Sequence, residues 1–321
     1  MVSGTPDPRS GAFAAVDDPA RLDASLRGGA VAIGNFDGVH RGHRAVLDAA
    51  LGRAREKGCP ALALTFEPHP RTFFKPSEPV FRLTPPERKV ELLRQLGFDA
   101  VVCQPFGADF ARLTAEAFVE DYLAKRLGAR IVVSGEDFHF GKGRLGTPQF
   151  LRQHGAGIGI EVISVEPVRD ETGEIISSTR IRQALAQGDV AQANALLGRI
   201  FHLRGTVIAG QKLGRTLGFP TANLALPGET ELRHGIYAVR VRLADGVWRD
   251  GVASYGRRPT FDNGEALLEA FLFDFSGDLY GQTIDVALCA WLRPELKFDS
   301  AEALVVQMRR DEAEARAILA A

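Results

Sequence analysis

The first half of the chain alternates short apolar runs with segments of helical periodicity. The apolar runs are AVAIGNF (30–36), ALALTF (61–66), AVVCQPF (100–106), ARIVVS (129–134) and EVISVEPV (161–168). The helical segments between them include 43–58, 84–97 and 114–128, where apolar residues recur three and four positions apart. Thr84 and Glu87 predict a capping box at the start of the second helix. The pattern predicts an α/β domain with a parallel sheet and helices on both faces.

The second half reads differently. Strand-like runs at 201–210, 235–256, 267–275 and 283–292 are punctuated by Gly, Asp-Gly and Pro. Helical periodicity over a long stretch returns only at 299–320. We therefore predict a mostly antiparallel β-barrel closed by one terminal helix.

These patterns, with a length of 321 residues, predict two domains. Residues 1–27 are rich in Pro, Gly, Ala and Asp and are expected to form a loose arm with one short helix. The α/β domain is predicted at 28–186, a linker at 187–199 and the barrel domain at 200–321.

Composition narrows the class of protein. The chain is 45% hydrophobic and 25% charged, as in ordinary globular proteins, and 39 basic residues balance 40 acidic ones. This balance argues against nucleic-acid and membrane partners. Three scattered cysteines suit a reducing compartment, and no apolar run approaches the ~20 residues of a membrane span. We expect a cytoplasmic protein.

The most informative motif is GNFDGVHRGH (34–43), which follows the first apolar run. Gly34 and Gly38 permit a tight strand-to-helix turn, and Gly42 removes a side chain where another group approaches the backbone. His40 and His43 share one face near a helix N-terminus, a natural seat for phosphate. The alternatives are a helix-capping histidine, or a metal site that would need Asp37 or His69 as third ligand.

Other motifs follow predicted strands or begin helices. TFEPHP (65–70) and SGEDFHF (134–140) fall at carboxyl ends of strands, where parallel sheets bind ligands. In ISSTRIR (176–182), Ser178 and Thr179 are candidate helix caps and Arg182 is a candidate phosphate ligand.

GKGRLG (141–146) fits the dinucleotide-binding pattern GxGxxG, with Glu166 at a strand end beyond it. Gly141 lies seven residues after Ser134, the last strand residue, and the following helix is short. We therefore disfavour a Rossmann site here.

A second candidate site lies in the barrel half. Gly210, Gly214, Arg215 and Gly218 are candidates for a flap that binds phosphates, although Arg in place of Lys and the short spacing exclude a P-loop. Thr221 and Asn223 point to one side of a strand and are candidate Mg²⁺ ligands, or simply end that strand. Glu269 lies in the apolar run LLEAFLFDF, where a buried carboxylate suggests a proton acceptor. Its alternative role is a salt bridge to Arg257 or Arg258.

GNFDGVHRGH, TFEPHP, SGEDFHFGKGRLG and ISSTRIR, in this order, closely resemble the FMN adenylyltransferase module of bacterial bifunctional riboflavin kinase/FAD synthetases. The resemblance implies that His40 and His43 contact the phosphates of ATP and stabilise the transition state. It implies ATP and Mg²⁺ binding by a set of residues around them, and a flavin bordered by the FEPHP loop. The ATP set comprises Gly34, Asn35, Gly42, Asp137, Ser178, Thr179 and Arg182, and the flavin set Phe66, Pro68 and His69. Ile175 and Leu145 depart from the family, which often has arginine at both positions.

GRTLGFPTANL (214–224), GIYAV, RPTF, LLEAFLFDF, DLYG and LRPELKF resemble the riboflavin kinase module. The resemblance implies that Thr221 and Asn223 bind Mg²⁺ and nucleotide phosphate and that Glu269 is the general base. Glu269-Ala270-Phe271 departs from the common Glu-Val-His. Riboflavin, FMN and ATP are thus the expected substrates, with FMN and then FAD as products. The rivals are a flavin-binding protein that has lost one reaction, and an NAD-dependent oxidoreductase that uses GKGRLG.

Overall fold

The structure is a computed structural model that describes residues 13–209, 219–226, 230–257 and 266–321. The chain divides between Ser177 and Ser178 into two compact units, which are described separately.

The N-terminal unit is built on a parallel sheet, as predicted. Its order is β1-β4-β3-β2-β5-β6. The strands are β1 (Ala14–Val16), β2 (Ala30–Ile33), β3 (Ala61–Glu67), β4 (Ala100–Pro105), β5 (Ile131–Gly135) and β6 (Glu161–Val165). The edge strand β1 corrects the prediction of a loose arm, because residues 14–16 pair with β4. Three residues are too few to show the alternation that marks a strand in sequence.

Helices cover both faces of the sheet. They are α1 (Arg41–Lys57), α2 (Pro70–Phe74), α3 (Pro86–Gln95), α4 (Ala108–Ala111), α5 (Ala115–Ala117), which continues as a π-helix (Phe118–Arg126), and α6 (Pro148–Gly157). All four residues of β2 are buried, with Val31 and Ile33 in one apolar cluster and Ala30 and Ala32 in the other. Burial on both faces explains why the strands read as continuous apolar runs.

The strand order places a topological switch point beside β2. The chain moves from β2 through β3 to β4 on one side of β2, then crosses to β5 on the other side. Open α/β sheets bind ligands beyond the carboxyl ends of their strands at such a point. The loops after β2 and β5, which hold GNFDGVHRGH and EDFHF, both start there.

The predicted capping box of α3 is wrong. The helix begins at Pro86 after Pro85, and no side chain caps it. The hydroxyl of Thr84 instead accepts a hydrogen bond from the backbone N–H of Gly38 in the turn after β2. The Thr84 hydroxyl, which the capping-box motif would use to cap α3, thus binds a residue that lies 46 positions away in sequence.

The C-terminal unit contains a closed antiparallel barrel with a terminal helix, as predicted. The strands follow the order β10-β11-β8-β7-β12-β9, and β9 also pairs with β10. They are β7 (Phe201–Ile208), β8 (Thr221–Ala225), β9 (Gly235–Arg242), β10 (Trp248–Arg257), β11 (Ala266–Leu272) and β12 (Thr283–Arg293); the helices are α7 (Ser178–Gln187), α8 (Val190–Leu197) and α9 (Ala301–Ala320). Alternate residues of each strand fill the interior, as Phe201, Leu203 and Val207 do in β7.

Helices α7 and α8, which the sequence assigns to the first domain and the linker, pack with the barrel. The Asn194 side chain of α8 donates to the carbonyl of Leu288 (3.0 Å) and accepts from the N–H of Phe201 (2.7 Å). The carbonyl of Leu185 in α7 accepts from the N–H of Arg233 (3.1 Å). These bonds attach α8 to strands β7 and β12, and α7 to the segment just before β9.

Three ion pairs stabilise the barrel and the attachment of its terminal helix. Asp285 of β12 accepts from Arg204 of β7 (2.7 Å) and from Arg242 of β9 (3.1 Å), so one carboxylate joins three adjacent strands. Arg293 binds Asp311 with both arms of its guanidinium (2.8 and 2.6 Å) and fixes α9 to the end of β12.

Candidate active sites

A strained turn connects β2 to α1. Phe36, Gly38 and Val39 have φ values of 48°, 90° and 42°, in the left-handed region that non-glycine residues rarely adopt. Such strain persists only where surrounding contacts impose it, and it is concentrated at functional sites. The turn delivers the chain directly to the N-terminus of a 17-residue helix, where free N–H groups and the helix dipole favour an anion.

His40 is the N-cap of α1, and its role as a cap does not exclude a role in the site. Its Nδ1 accepts a hydrogen bond from the backbone N–H of His43 (3.1 Å), and only 4% of the residue is exposed. Because Nδ1 is the acceptor, the neutral ring carries its proton on Nε2. The cap thereby fixes the tautomer and places the ring N–H at Nε2, on the opposite side of the ring.

The two imidazoles are held as a stack. Their ring centroids lie 3.6 Å apart with an interplanar angle of 15°, and the edge of Phe36 packs against His43 at 5.5 Å. Gly42 makes this arrangement possible. A Cβ there would lie 3.1 Å from the His40 ring and 3.2 Å from the carbonyl oxygen of Ile176. As predicted, other groups approach the backbone closely at Gly42. These groups are the Ile176 carbonyl and the His40 ring.

The alternative of a metal site gains no support. Asp37 is buried, and its carboxylate accepts from the backbone N–H groups of Leu83 (3.2 Å) and Thr84 (2.9 Å). His69 caps α2 by accepting from the N–H of Arg71 (3.1 Å). Across the described ranges, no group of three or more His, Cys, Asp or Glu residues is placed to hold a metal ion.

The predicted flavin-binding residues follow β3, the neighbour of β2. Phe66 is buried and contacts the rings of Phe106 and Phe110 at 6.0 and 5.7 Å. Pro68 is exposed, and His69 begins α2. At the end of α2 the ring of Phe74 is 65% exposed and packs at 5.8 Å against Phe106. The loop therefore joins a buried aromatic cluster to an accessible aromatic surface.

The loop after β5 carries Asp137, whose exposed carboxylate folds over Gly135. A Cβ on Gly135 would lie 2.7 Å from Asp137 Oδ1. Since β5 is paired with β2, this loop starts beside the histidine turn. The GKGRLG segment does not form a strand–turn–helix unit. Phe140 bridges to Gly146, and the residues between them form a compact loop with one 3₁₀ turn (Lys142–Arg144), so the Rossmann reading is wrong.

The remaining predicted ATP ligands have different settings. Gly34 and Asn35 lie in the turn, and the carbonyl of Asn35 accepts from Thr65 Oγ1 (2.9 Å). Ser178 and Thr179 are the first residues of α7, and Arg182 follows in its second turn; all three belong to the C-terminal unit. Their part in binding ATP remains a prediction.

Sequence reasoning missed the charged residues beneath the turn. Lys89, Glu67 and Arg82 form a connected set of ion pairs with Asp37. A signal existed for Lys89, which precedes Leu92 and Leu93 by three and four positions. It therefore occupies the apolar face of α3. A charged residue at such a position requires buried partners.

In the barrel, the register brings the predicted kinase residues together. Glu269 of β11 is paired with Asn223 of β8 on one side and with Ser254 of β10 on the other. Phe271 is likewise paired with Thr221. Directly paired residues share a face of the sheet with Cβ atoms ~5 Å apart. Thr221, Asn223 and Glu269 therefore form one polar patch on the barrel wall.

The burial of these residues differs from the prediction. Glu269 is half-buried, because Leu268 and Ala270 on either side of it point into the barrel. Asn223 is the buried member at 6% exposure, and within the described part of the chain its Oδ1 has no hydrogen-bond partner. A buried carbonyl oxygen without a donor is suited to a cation or to a donor group on a ligand.

Some predicted residues lie outside the described ranges. These are Gly210, Gly214, Arg215 and Gly218 of the predicted phosphate flap, and Arg258, one of the two proposed partners of Glu269. The side chain of Arg257, the other partner, is also outside the description.

Each of the two units, the α/β unit and the barrel unit, matches a family of transferases. Family models match both parts, that of FAD synthetase at residues 22–180 and that of riboflavin kinase at 197–319. A bifunctional riboflavin kinase/FMN adenylyltransferase of Escherichia coli K12 is 41% identical over 91% of this chain and 93% of its own length. The Pseudomonas fluorescens relative is 42% identical over 92% of this chain and 94% of its own. The chain belongs to the family of bifunctional riboflavin kinase/FMN adenylyltransferases.

A solved structure from Streptococcus pneumoniae is similar throughout, with a TM-score of 0.84 and 35% identity over 95% of this chain and 98% of that one. It is described as a macrolide-efflux protein, a name that we do not transfer, because both parts of this chain match enzyme families. Among the described helices, none has the length and apolar character needed to cross a membrane.

Proposed function

We propose that the chain makes FAD from riboflavin in two ATP-dependent steps, one in each unit. The barrel unit transfers the γ-phosphoryl group of ATP to the ribityl 5′-hydroxyl of riboflavin and forms FMN and ADP. The α/β unit joins the phosphate of FMN to the α-phosphorus of a second ATP and releases pyrophosphate. The observation that supports this proposal is that each unit brings together residues predicted to act on phosphates, the stacked histidines in one and the Asn223–Glu269 pair in the other.

In the kinase step, Glu269 accepts the proton of the attacking hydroxyl. Its half-buried position suits this role, since the carboxylate can reach a bound substrate while one side remains against the barrel wall. The adjacent Thr221 and Asn223 would hold Mg²⁺, and the buried Asn223 Oδ1 without a donor fits an oxygen ligand for that ion. Mg²⁺ bound there would neutralise charge on the phosphates of ATP.

In the adenylylation step, the N-terminus of α1 and the two imidazoles bind the phosphates. The Nε2–H of His40 donates to a phosphate oxygen, because its Nδ1 is committed to the His43 N–H. His43, stacked beside it, is placed to contact the same group as negative charge develops on the phosphorus. The FMN phosphate is the nucleophile, pyrophosphate leaves, and no covalent intermediate on the protein is needed.

We place these reactions in the cytoplasm. All three cysteines are free and partly buried, as expected of a protein in a reducing compartment.

A flavin time course tests the proposal. Purified protein is incubated with riboflavin, ATP and Mg²⁺, and the flavins are separated by chromatography. We expect FMN first and FAD afterwards, and omission of Mg²⁺ should stop both steps. FMN as the final product would refute the adenylylation step, whereas no conversion of riboflavin would favour a flavin-binding protein without catalysis.

A further inference from the structure

Lys89 is a completely buried cation beneath the histidine turn. Its side chain has 0% exposure, and Nζ donates to the carbonyl of Asn35 (3.1 Å), to Thr65 Oγ1 (2.8 Å) and to Glu67 Oε1 (2.6 Å). An ammonium has three N–H groups, so these bonds use all of them. Asn35 belongs to the turn after β2, whereas Thr65 and Glu67 belong to β3. One side chain from α3 thus binds the exits of two neighbouring strands.

Arg82 extends this connection to the centre of the turn. Its two terminal nitrogens bind the two oxygens of Glu67 at 2.6 Å each, and its Nε lies 3.6 Å from Asp37 Oδ1. Asp37 in turn accepts from the N–H groups of Leu83 and Thr84. We call Asp37, Glu67, Arg82 and Lys89 the buried charge cluster; Asp37 and Lys89 are fully buried, and the side chains of Glu67 and Arg82 are 18% and 22% exposed. Its two positive and two negative charges balance.

The burial of charged groups in this cluster costs free energy. Burial lowers the pKa of Lys89, and the nearby Glu67 carboxylate only partly offsets that effect. Burial would also raise the pKa of Glu67, but hydrogen bonds from Arg82 and the charge of Lys89 outweigh it and lower the pKa. Apolar residues of similar volume often give equal or greater stability than a buried ion pair. General stability is therefore a poor explanation for a full set of ionised groups here.

The position of the cluster offers a better explanation. It contacts the turn at Asn35 and Asp37, on both sides of Phe36, whose backbone is strained. It also holds Glu67, the residue immediately before Pro68 and His69. The first segment leads to the two histidines, and the second is predicted to border the flavin. Rigid spacing between two reacting groups is worth large factors in rate, and a 1 Å error can cost about a hundredfold.

We propose that the buried charge cluster, together with Thr65, which links Lys89 to the Asn35 carbonyl, is a positioning device for adenylyl transfer. It fixes the phosphate-binding turn relative to the FEPHP loop, so that the phosphate of FMN meets the α-phosphorus of ATP. Lys89 and Thr65 are positioning residues, since they act through the Asn35 carbonyl and Glu67. The inference rests on the proposed adenylyltransferase activity of this unit.

Two substitutions of Thr65 separate positioning from packing. Thr65→Val keeps the shape of the side chain but removes the hydroxyl that donates to the Asn35 carbonyl and accepts from Lys89. Thr65→Ser keeps the hydroxyl and removes a buried methyl group. A positioning role predicts that Thr65→Val lowers kcat/KM for adenylylation of supplied FMN about fivefold or more, while Thr65→Ser stays within about twofold. A packing role predicts the reverse order.

Lys89→Met extends the test by removing the charge and keeping an apolar stem of similar length. We expect adenylylation kcat/KM to fall about ten- to a hundredfold, while riboflavin phosphorylation by the same preparation is unchanged. Arg53→Met is the matched control. It breaks a two-pronged ion pair to Glu161 (2.8 and 2.9 Å) in the same unit, about 18 Å along α1 from its start. It should lower thermal stability slightly and leave kcat/KM unchanged.

Two results would overturn the proposal. In one, Thr65→Val keeps full adenylylation, whether or not Thr65→Ser loses it. In the other, folded Lys89→Met retains activity within twofold of the wild type. Should Lys89→Met fail to fold, the Thr65 pair decides alone. Failure of the proposed function itself is recognised separately, because wild-type protein would then form no FAD from supplied FMN and ATP.

Discussion

At the scale of single residues, His40 combines a structural and a chemical role that two substitutions can separate. Asparagine is a good N-cap, so His40→Asn should keep the start of α1 intact, whereas His40→Ala should cost about 1 kcal/mol of stability. Both remove the Nε2–H donor, and both should slow FMN adenylylation by about a hundredfold. Thermal unfolding and the adenylylation rate of each variant provide the check. An active His40→Asn enzyme would show that capping is the only role of this ring.

Asn223 is a second residue at which stability and activity should diverge. Its buried Oδ1 lacks a donor among the described residues, so the free protein carries the cost of an unsatisfied polar atom. Asn223→Leu removes that cost and should leave thermal stability equal or higher. Riboflavin phosphorylation should nevertheless fall more than tenfold, because the oxygen proposed to bind Mg²⁺ is gone.

Asn223→Asp is the control at the same position, since it retains an oxygen ligand. It should keep more kinase activity than the leucine variant and should gain more stability from added Mg²⁺ and ATP. If Asn223→Leu phosphorylates riboflavin at the wild-type rate, Asn223 has no part in the kinase reaction.

At the scale of elements, Asp285 links three strands of the barrel and should make its stability sensitive to acid. Burial would raise the pKa of Asp285, but the hydrogen bonds and charges of Arg204 and Arg242 outweigh it and lower the pKa. A carboxyl with a lowered pKa stabilises the fold above its unfolded pKa of about 3.9. That contribution is lost as the pH falls through the folded-state value. Stability of the C-terminal unit should therefore decrease below about pH 4.

Asp285→Asn should remove this dependence. At pH 7 it should destabilise the C-terminal unit by about 2 kcal/mol, because two guanidinium groups are left facing a neutral amide. Its loss of stability between pH 5 and pH 3 should be smaller than that of the wild type. Denaturant unfolding over this pH range measures both effects. Asp245→Asn breaks an exposed pair with Arg249 and should change little at pH 7. Equal acid sensitivity in Asp285→Asn and wild type would contradict the assignment.

Elements with continuous patterns were predictable from sequence. The buried strands β2 and β3 read as unbroken apolar runs because both of their faces are covered. The pairing of Glu269 with Asn223 could not be read in this way, because register depends on the whole barrel. The outward direction of the Glu269 side chain was equally impossible to predict from sequence. Phe271 on the same face packs into a cluster with Ala315 and Leu319 of α9, which makes both faces of β11 look apolar.

The candidate sites were predictable to the extent that they rest on local sequence. His40, His43 and Gly42 belong to one short motif that can be interpreted without the fold. The buried charge cluster gathers residues from the turn after β2, from β3, from the segment before α3 and from α3 itself. Apart from Lys89, which lies on the apolar face of α3, its members cannot be distinguished in sequence from ordinary surface charges. The prediction for Thr84 failed for the same reason, because its hydroxyl binds the N–H of Gly38, which is distant in sequence, and does not cap the helix.

At the scale of the whole molecule, the chain contains two compact units. The two family models, one for FAD synthetase and one for riboflavin kinase, match different parts of the chain. None of the described catalytic candidates is shared, since His40 and His43 lie in the first unit and Glu269 in the second. If the two sites are independent, loss of one reaction should leave the other reaction intact. Glu269→Gln should abolish FMN formation yet adenylylate supplied FMN normally, and His43→Ala should accumulate FMN from riboflavin.

A mixture of these two variants gives the sharpest test of independence. Neither variant alone should convert riboflavin to FAD. Together they should do so, because FMN released by His43→Ala can enter the intact adenylylation site of Glu269→Gln. The rate should rise with the concentration of either variant, since FMN must diffuse between molecules. A mixture that forms no FAD and no more than about one FMN per molecule of His43→Ala, although Glu269→Gln adenylylates added FMN, would mean that the FMN formed by the kinase site is not released. Loss of both activities in either single variant would instead show that the two sites depend on each other.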